Sequence, residues 1–90
     1  MTLTLAEIVE IENVLAAQPS PAPTDALRTL RDRLAGRRVL LCDAADVNEA
    51  PFRSFGAVDV HLLDTREHCV TVTADLRHAT GVLLATREQP

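Results

Sequence analysis

The sequence of 90 residues predicts an α+β fold, in which two N-terminal helices pack on one face of a small, four-stranded, mainly antiparallel sheet. Two observations support this prediction. Apolar residues recur at helical spacing within residues 4–36, whereas short apolar runs bounded by polar turns fill residues 37–86. Helices that precede strands in this way are typical of a two-layer α+β domain. We therefore expect one domain over residues 1–90.

The first helix is predicted over residues 5–17. Thr4 and Glu7 have the spacing of a capping box, in which each side chain bonds to the backbone of the other residue. Three branched apolar residues then share one helical face: Ile8, Ile11 and Leu15. Residues 18–23, Gln-Pro-Ser-Pro-Ala-Pro, should end the helix, because prolines remove amide donors and favour an extended backbone. We expect a short, semi-rigid proline linker there.

The second helix is predicted to begin at Thr24, whose side chain suits the N-cap position, and Asp25 complements the positive helix end. Its apolar stripe consists of Leu27, Leu30 and Leu34. Gly36 follows the stripe at the position where a left-handed residue usually ends a helix. This segment is expected to lie on the sheet through its leucines.

Four strands are predicted in the second half of the chain, over residues 39–42, 58–64, 69–73 and 81–86. Residues 43–57 should form an irregular acidic loop, and Asp75 should cap a brief turn before Gly81, whose role is backbone geometry. Because strands that follow one another usually pair, we expect a meander in which the first strand neighbours the second. A crossover through residues 43–57 would instead make those two strands parallel.

Alternation along the second and third strands assigns their side chains to two faces of the sheet. The face expected to bury against the helices carries Val58, Val60 and Leu62 with Val70 and Val72. The opposite face carries Asp59, His61 and Leu63 with Thr71 and Thr73. This second face mixes polar and apolar residues, so we expect it to meet a partner protein or a second copy of the chain.

Composition and charge exclude several classes of function. Only 2% of the residues are aromatic, and the net charge is −4 with scattered basic residues, so we expect no nucleic-acid partner. No apolar run approaches the roughly 18 residues that cross a membrane, and the first residues lack the pattern of a secretory signal. We therefore expect a cytoplasmic protein whose two cysteines are free thiols.

The residues best suited to metal chemistry are Cys42, at the end of the first predicted strand, and His68-Cys69, at the start of the third. Thiolate and imidazole suit zinc, copper or an iron–sulfur centre, although the spacing matches no common site. A meander would place Cys42 and Cys69 at opposite ends of the sheet, whereas the crossover would place them at the same end. Small, partly buried apolar cysteines are the alternative interpretation, and a dimer could bring separated ligands together.

Two further groups could carry function. Asp43, Asp46 and Glu49 form an acidic cluster that lacks the pattern of a calcium loop and suits a solvated, capped loop or, together with His61, a partner-binding surface. Cys69 could act as a nucleophile only if a base activated its thiol. His68 would point to the opposite face of the strand, so His61 or His78 would have to supply that base; otherwise both are surface residues.

The second half of the chain combines several short motifs: Cys42-Asp43 with Asp46-Val47, Asp59-Val60 with Leu63-Asp64, His68-Cys69, Thr73 with Asp75, and Ala79-Thr80-Gly81-Val82. Together, over residues 37–86, these motifs resemble a family of short bacterial proteins encoded among nitrogen-fixation genes. No activity is established for that family. The resemblance therefore implies only a context, an accessory role in nitrogenase assembly, protection or regulation. In that context, the thiolate and imidazole side chains become stronger candidates for metal ligands.

Together these observations predict a small, non-enzymatic accessory protein that acts by binding another protein, with nitrogenase or an assembly factor as the expected partner. No acid–base pair or activated nucleophile converges in the sequence. The alternative is a carrier of a metal or an iron–sulfur cluster that uses Cys42, His68 and Cys69. A cysteine-dependent enzyme is the weaker alternative. A homodimer also stays open, because a core of this size is marginal.

Overall fold

The computed structural model describes residues 2–17 and 23–87. These residues form two helices and five strands, in the order α1 (Leu5–Ala16), α2 (Pro23–Arg33), β1 (Arg38–Asp43), β2 (Arg53–Phe55), β3 (Val58–Asp64), β4 (Thr71–Thr73) and β5 (Gly81–Thr86). A short 3₁₀ helix, Ala44–Asp46, follows β1. The predicted α+β class, with N-terminal helices and a mainly antiparallel sheet, is confirmed. Within the described ranges, no helix has the length and apolar character needed to cross a membrane.

The capping box predicted at the start of α1 is present. The Glu7 amide donates to Thr4 Oγ1 at 3.1 Å, and the Thr4 amide donates to Glu7 Oε1 at 3.0 Å. The face predicted to be apolar is buried through Ile8, Ile11 and Leu15. Residues 18–22 of the predicted proline linker lie outside the described residues.

The second helix begins at Pro23, two residues before Asp25, which would be the first helical residue after a Thr24 N-cap. Thr24 therefore lies in the first turn and is not the N-cap. Proline suits the first turn of a helix, because its fixed φ is already helical and no bonded amide is needed there. Leu30 and Leu34 are buried. Gly36 has a φ of 85°, as expected of the residue that ends the helix.

The sheet is not the expected meander. Its main path runs β1-β5-β3-β2, and β4 pairs with β3 beyond the end of β2. The last strand, β5, therefore separates β1 from β3 and pairs parallel with β1. Nearly all of β5 is buried on both faces, whereas β1 begins and ends with the exposed residues Arg38 and Asp43. The more apolar strand takes the central position because both of its faces are covered there.

One strand, β2, was not predicted. It has three residues and pairs antiparallel with the start of β3 through a two-residue turn, Gly56-Ala57. Gly56 has a φ of 59° and Ala57 does not have a positive φ, which is the pattern of a type II′ hairpin turn. Arg53 and Ser54 are exposed, so the strand lacks the apolar alternation by which strands are found in a sequence.

The predicted assignment of β4 side chains to faces is wrong. Leu63 pairs with Val72, and Leu62 pairs with Thr73. Residues opposite each other in an antiparallel pair share a face, so Val72 lies on the face away from the helices and Thr73 lies on the helix face. The strand is also shorter than expected, because it begins at Thr71. A slip of one residue in register exchanges the two faces.

The main core lies between the helices and one face of the sheet. Buried side chains of both helices contact the inward residues Val39, Val58, Val60, Leu62, Val82 and Leu84. The opposite face is also largely covered, since His61, Leu63 and Ala85 are each at most 2% exposed. Residues 44–52 lead from β1 at one edge of the sheet to β2 at the other, and residues 49–52 of this connection border a pocket together with His61.

Candidate functional sites

The proposed metal ligands do not come together within one protomer. Cys42 is level with Ala85 of β5, and Ala85 is level with Asp59 at the start of β3. Cys69 lies beyond Asp64, at the other end of β3. The two cysteines therefore lie at opposite ends of the sheet, as the expected strand directions implied. Within residues 2–17 and 23–87, no group of three or more His, Cys, Asp or Glu side chains could hold a metal ion.

Cys42 is a partly buried free thiol whose surroundings favour the protonated form. Burial raises its pKa, and the nearby carboxylates of Asp46 and Asp43 raise it further. Since thiolate is the form that attacks electrophiles and binds metals, this site opposes both activities. Cys42 is closer to the alternative interpretation, a small residue packed at the edge of the sheet.

His68 and Cys69 are exposed in the loop between β3 and β4, not at the start of a strand as predicted. Together with Arg66 and Glu67 they line an open concave surface. The loop is held at its start by Arg66, whose guanidinium donates to both carboxylate oxygens of Asp64 at 2.9 and 2.7 Å. The Arg66 amide donates to the same carboxylate at 3.1 Å.

The contacts of Arg66 predict how the Asp64 carboxyl titrates. The Arg66 side chain, followed by the Arg66 amide, holds the pKa of Asp64 at about 2, below its ordinary 3.8. Arg77 acts in the same way on Asp75, whose pKa is also about 2. The lowered pKa means that any stabilisation is present above about pH 4 and is lost as the pH falls through about 2. We expect Arg66→Gln to raise the pKa of Asp64 towards its ordinary value, with the backbone amide still lowering it, and to leave the pKa of Asp75 unchanged. Carbon-detected NMR titration of both carboxyls measures this.

Asp75 is the internal control for this experiment, because its own arginine is untouched. An Asp64 that titrates near 3.8 in the wild-type chain would contradict the arrangement of the loop.

The acidic cluster lies where the sequence places it, immediately after β1. Asp43, Asp46 and Glu49 are all exposed. Asp43 Oδ1 accepts from the Ala45 amide at 2.9 Å and caps the short 3₁₀ helix. This bond agrees with the interpretation of Asp43 as the capping residue of a solvated loop.

His61 is buried, which corrects the expectation that it is a surface residue. Its side chain faces away from the helices, yet it is only 2% exposed, and its buried Nδ1 atom has no hydrogen-bond partner in the part of the chain that the structure describes. An unsatisfied buried polar atom costs about 1–3 kcal/mol. Of the two histidines expected at the surface, only His78 is there, with its Nδ1 3.5 Å from Asp75 Oδ2.

The outward face of α1 is an apolar surface that the sequence reasoning missed. Leu5 is 77% exposed and Val9 is 51% exposed. The neighbouring exposed positions of this face are Ala6, Asn13 and Ala16. We call these five residues the α1 outer face. It carries no charge, although solvent-facing helix surfaces are normally charged.

The three glutamates of α1 lie beside the core, and each is paired with an arginine from another part of the chain. Glu7 accepts from Arg37 Nε and Nη2 at 2.9 Å each, and Arg37 also donates to the Thr2 carbonyl at 2.8 Å. The other two ion pairs are Glu10–Arg33 and Glu12–Arg53. Charged residues such as Glu7 and Glu10 would ordinarily be assigned to the solvent side of a helix. The α1 outer face could not be recognised from the sequence, because ion pairs with distant arginines decide where these carboxylates lie.

Comparison with known proteins identifies no relative: no family model, no curated protein and no solved structure significantly matches the chain.

Proposed function

We propose that this chain is a small, non-enzymatic, cytoplasmic protein that binds another protein by inserting the α1 outer face into an apolar groove of its partner. The observation that carries the proposal is the exposure of Leu5 and Val9 on a helix face without any charge. Amphipathic helices commonly bind partners in this way, through anchors spaced three or four residues apart.

The borders of the α1 outer face favour a protein partner. Glu10 on one side is neutralised by Arg33, and Glu12 on the other side is neutralised by Arg53. A partner therefore meets no net charge beside the apolar anchors, in a chain whose net charge is −4. The helix has 12 residues and so is about 18 Å long. A contact of that length belongs to the small interfaces that are typical of transient complexes.

The sequence resemblance suggests which partner to test first. Members of the resembled family are encoded among nitrogen-fixation genes, so nitrogenase and its assembly factors are the first candidates for an accessory role in assembly, protection or regulation. The metal-carrier alternative has no geometric support within a protomer, since Cys42 and Cys69 lie at opposite ends of the sheet.

The test is a charge placed in the centre of the α1 outer face. We expect Val9→Glu to weaken binding to nitrogenase or its assembly factor about tenfold or more, because a carboxylate would be buried without a partner in the groove. Stability should change by less than about 0.5 kcal/mol, since Val9 is exposed. Binding is measured by calorimetry with candidates recovered from an anaerobic pull-down out of nitrogen-fixing cells.

Thr24→Glu is the matched control, because it adds the same charge at an exposed position in the other helix. It should leave binding unchanged. Equal binding by Val9→Glu and wild type would contradict the proposal. So would self-association of the purified chain that Val9→Glu abolishes, since the α1 outer face would then bind a second copy. Co-purification of a metal that Cys69→Ser removes would favour the carrier alternative.

A further inference from the structure

A pocket lies at one edge of β3, in the gap between two strands that pair with that edge. β2 pairs with β3 as far as Val60, and β4 pairs with it from Leu62 onwards. His61 lies between these two pairings. The pocket has a volume of about 360 Å³ and is lined by residues 49–52, His61 and Leu62, and residues 72–74. Three separate chain segments therefore form its walls, and none of them belongs to α1.

The imidazole of His61 is the unexplained polar group of this pocket. It is 2% exposed, and Nδ1 has no hydrogen-bond partner among the described residues. A neutral imidazole has one nitrogen that donates and one that accepts, so an unpartnered Nδ1 leaves one of these capacities unused. Buried polar groups are normally satisfied by protein, water or ligand. Within residues 2–17 and 23–87, no group satisfies this nitrogen, so the polar capacity of His61 at the pocket is open to a bound molecule.

The remaining walls restrict the chemistry of that molecule. Ala50, Pro51, Phe52, Val72 and Ala74 offer apolar surface, and Glu49 adds a carboxylate that would repel an anion. Thr73 Oγ1 already accepts from the Asp75 amide at 3.1 Å. The volume is at the lower end of the range for small-molecule sites, which are mostly apolar with a few polar groups that fix orientation.

We propose that this pocket binds a small, uncharged molecule of about one ring in size, which is mostly apolar and donates a hydroxyl or N–H hydrogen bond to the His61 imidazole. The proposal does not depend on the proposed protein-binding function, because it uses a different surface. An ordered water molecule could satisfy the same atom, and the experiment distinguishes the two.

Phenol and toluene are the probes, because they have nearly the same shape and only phenol has a hydroxyl donor. The side-chain nitrogens of all three histidines are observed by ¹⁵N NMR during titration with each probe. We expect phenol to shift the His61 nitrogens to saturation and to bind about tenfold more tightly than toluene. The exposed His68 and His78 serve as internal controls and should not change.

Two variants keep the test decisive. His61→Phe should abolish the preference for phenol over toluene, because the ring stays apolar and loses its nitrogens. Ala74→Leu changes an exposed residue at the pocket, so it should fold normally, and we expect it to weaken phenol binding about tenfold by filling the space. The proposal is overturned if toluene binds as well as phenol, if Ala74→Leu has no effect, or if the His61 nitrogens do not respond to phenol. The last result would assign a fixed water to Nδ1.

Discussion

Gly81→Ala is expected to destabilise the protein by about 2–3 kcal/mol, because the first residue of β5 has no space for a side chain. A Cβ atom at this position would lie 2.8 Å from the Arg38 carbonyl oxygen and 3.0 Å from Thr65 Cγ2. The first of these atoms belongs to the backbone of β1, so it cannot move without shifting the strand. Gly81 pairs with Arg38 on one side and with Leu63 on the other. The substitution therefore disrupts the pairing of β1 with β5.

Gly36→Ala is the matched control for this prediction. Gly36 has a φ of 85° but no atom within 4 Å of an added Cβ, so only backbone strain should result, about 1 kcal/mol. Urea unfolding followed by circular dichroism compares the two variants through their midpoints at constant slope. A smaller loss for Gly81→Ala than for Gly36→Ala would contradict the close approach of β1 and β5.

The elements that sequence reasoning predicted correctly are those whose signals are local. Two examples are the capping box of Thr4 and Glu7 and the left-handed Gly36. Each depends on residues that are only a few positions apart in the sequence. The apolar spacing of α1 is likewise visible without knowledge of the fold. For these features, the physical causes are contained in short segments, so reading the sequence is sufficient.

The features that were missed depend on contacts between distant segments. The position of β5 between β1 and β3 follows from burial of both its faces, and a list of strands in order does not contain that information. The register of β4, with Val72 opposite Leu63, depends on the length and shape of the preceding loop. Polar β2 forms because β3 offers it a hairpin partner.

The same distinction between local and long-range causes applies to the candidate sites. The exposed positions of Asp43, Asp46 and Glu49 were predictable from their loop composition. The burial of His61 was not, because it requires residues 49–52 to come close to it. The uncharged α1 outer face was also hidden, since its recognition requires knowing that distant arginines pair with the α1 glutamates.

Leu30→Ala is expected to cost about 3 kcal/mol or more, a large part of the stability of a domain of this size. Leu30 is 0% exposed and belongs to the core between α2 and the sheet. Truncation removes apolar contacts and leaves a cavity that the surrounding helices and strands fill only in part. The measurement is again the urea midpoint.

Leu5→Ala is the matched control, since it makes the same chemical change on α1 at a residue that is 77% exposed. It should alter stability by less than about 0.5 kcal/mol. Because Leu5 belongs to the α1 outer face, the same variant should bind the partner protein more weakly. The same substitution at two leucines therefore tests the core and the binding surface separately. Leu30→Ala should lower stability, and Leu5→Ala should weaken binding. Equal destabilisation by the two variants would show that Leu5 is buried in solution, which would remove the basis of the proposed interface.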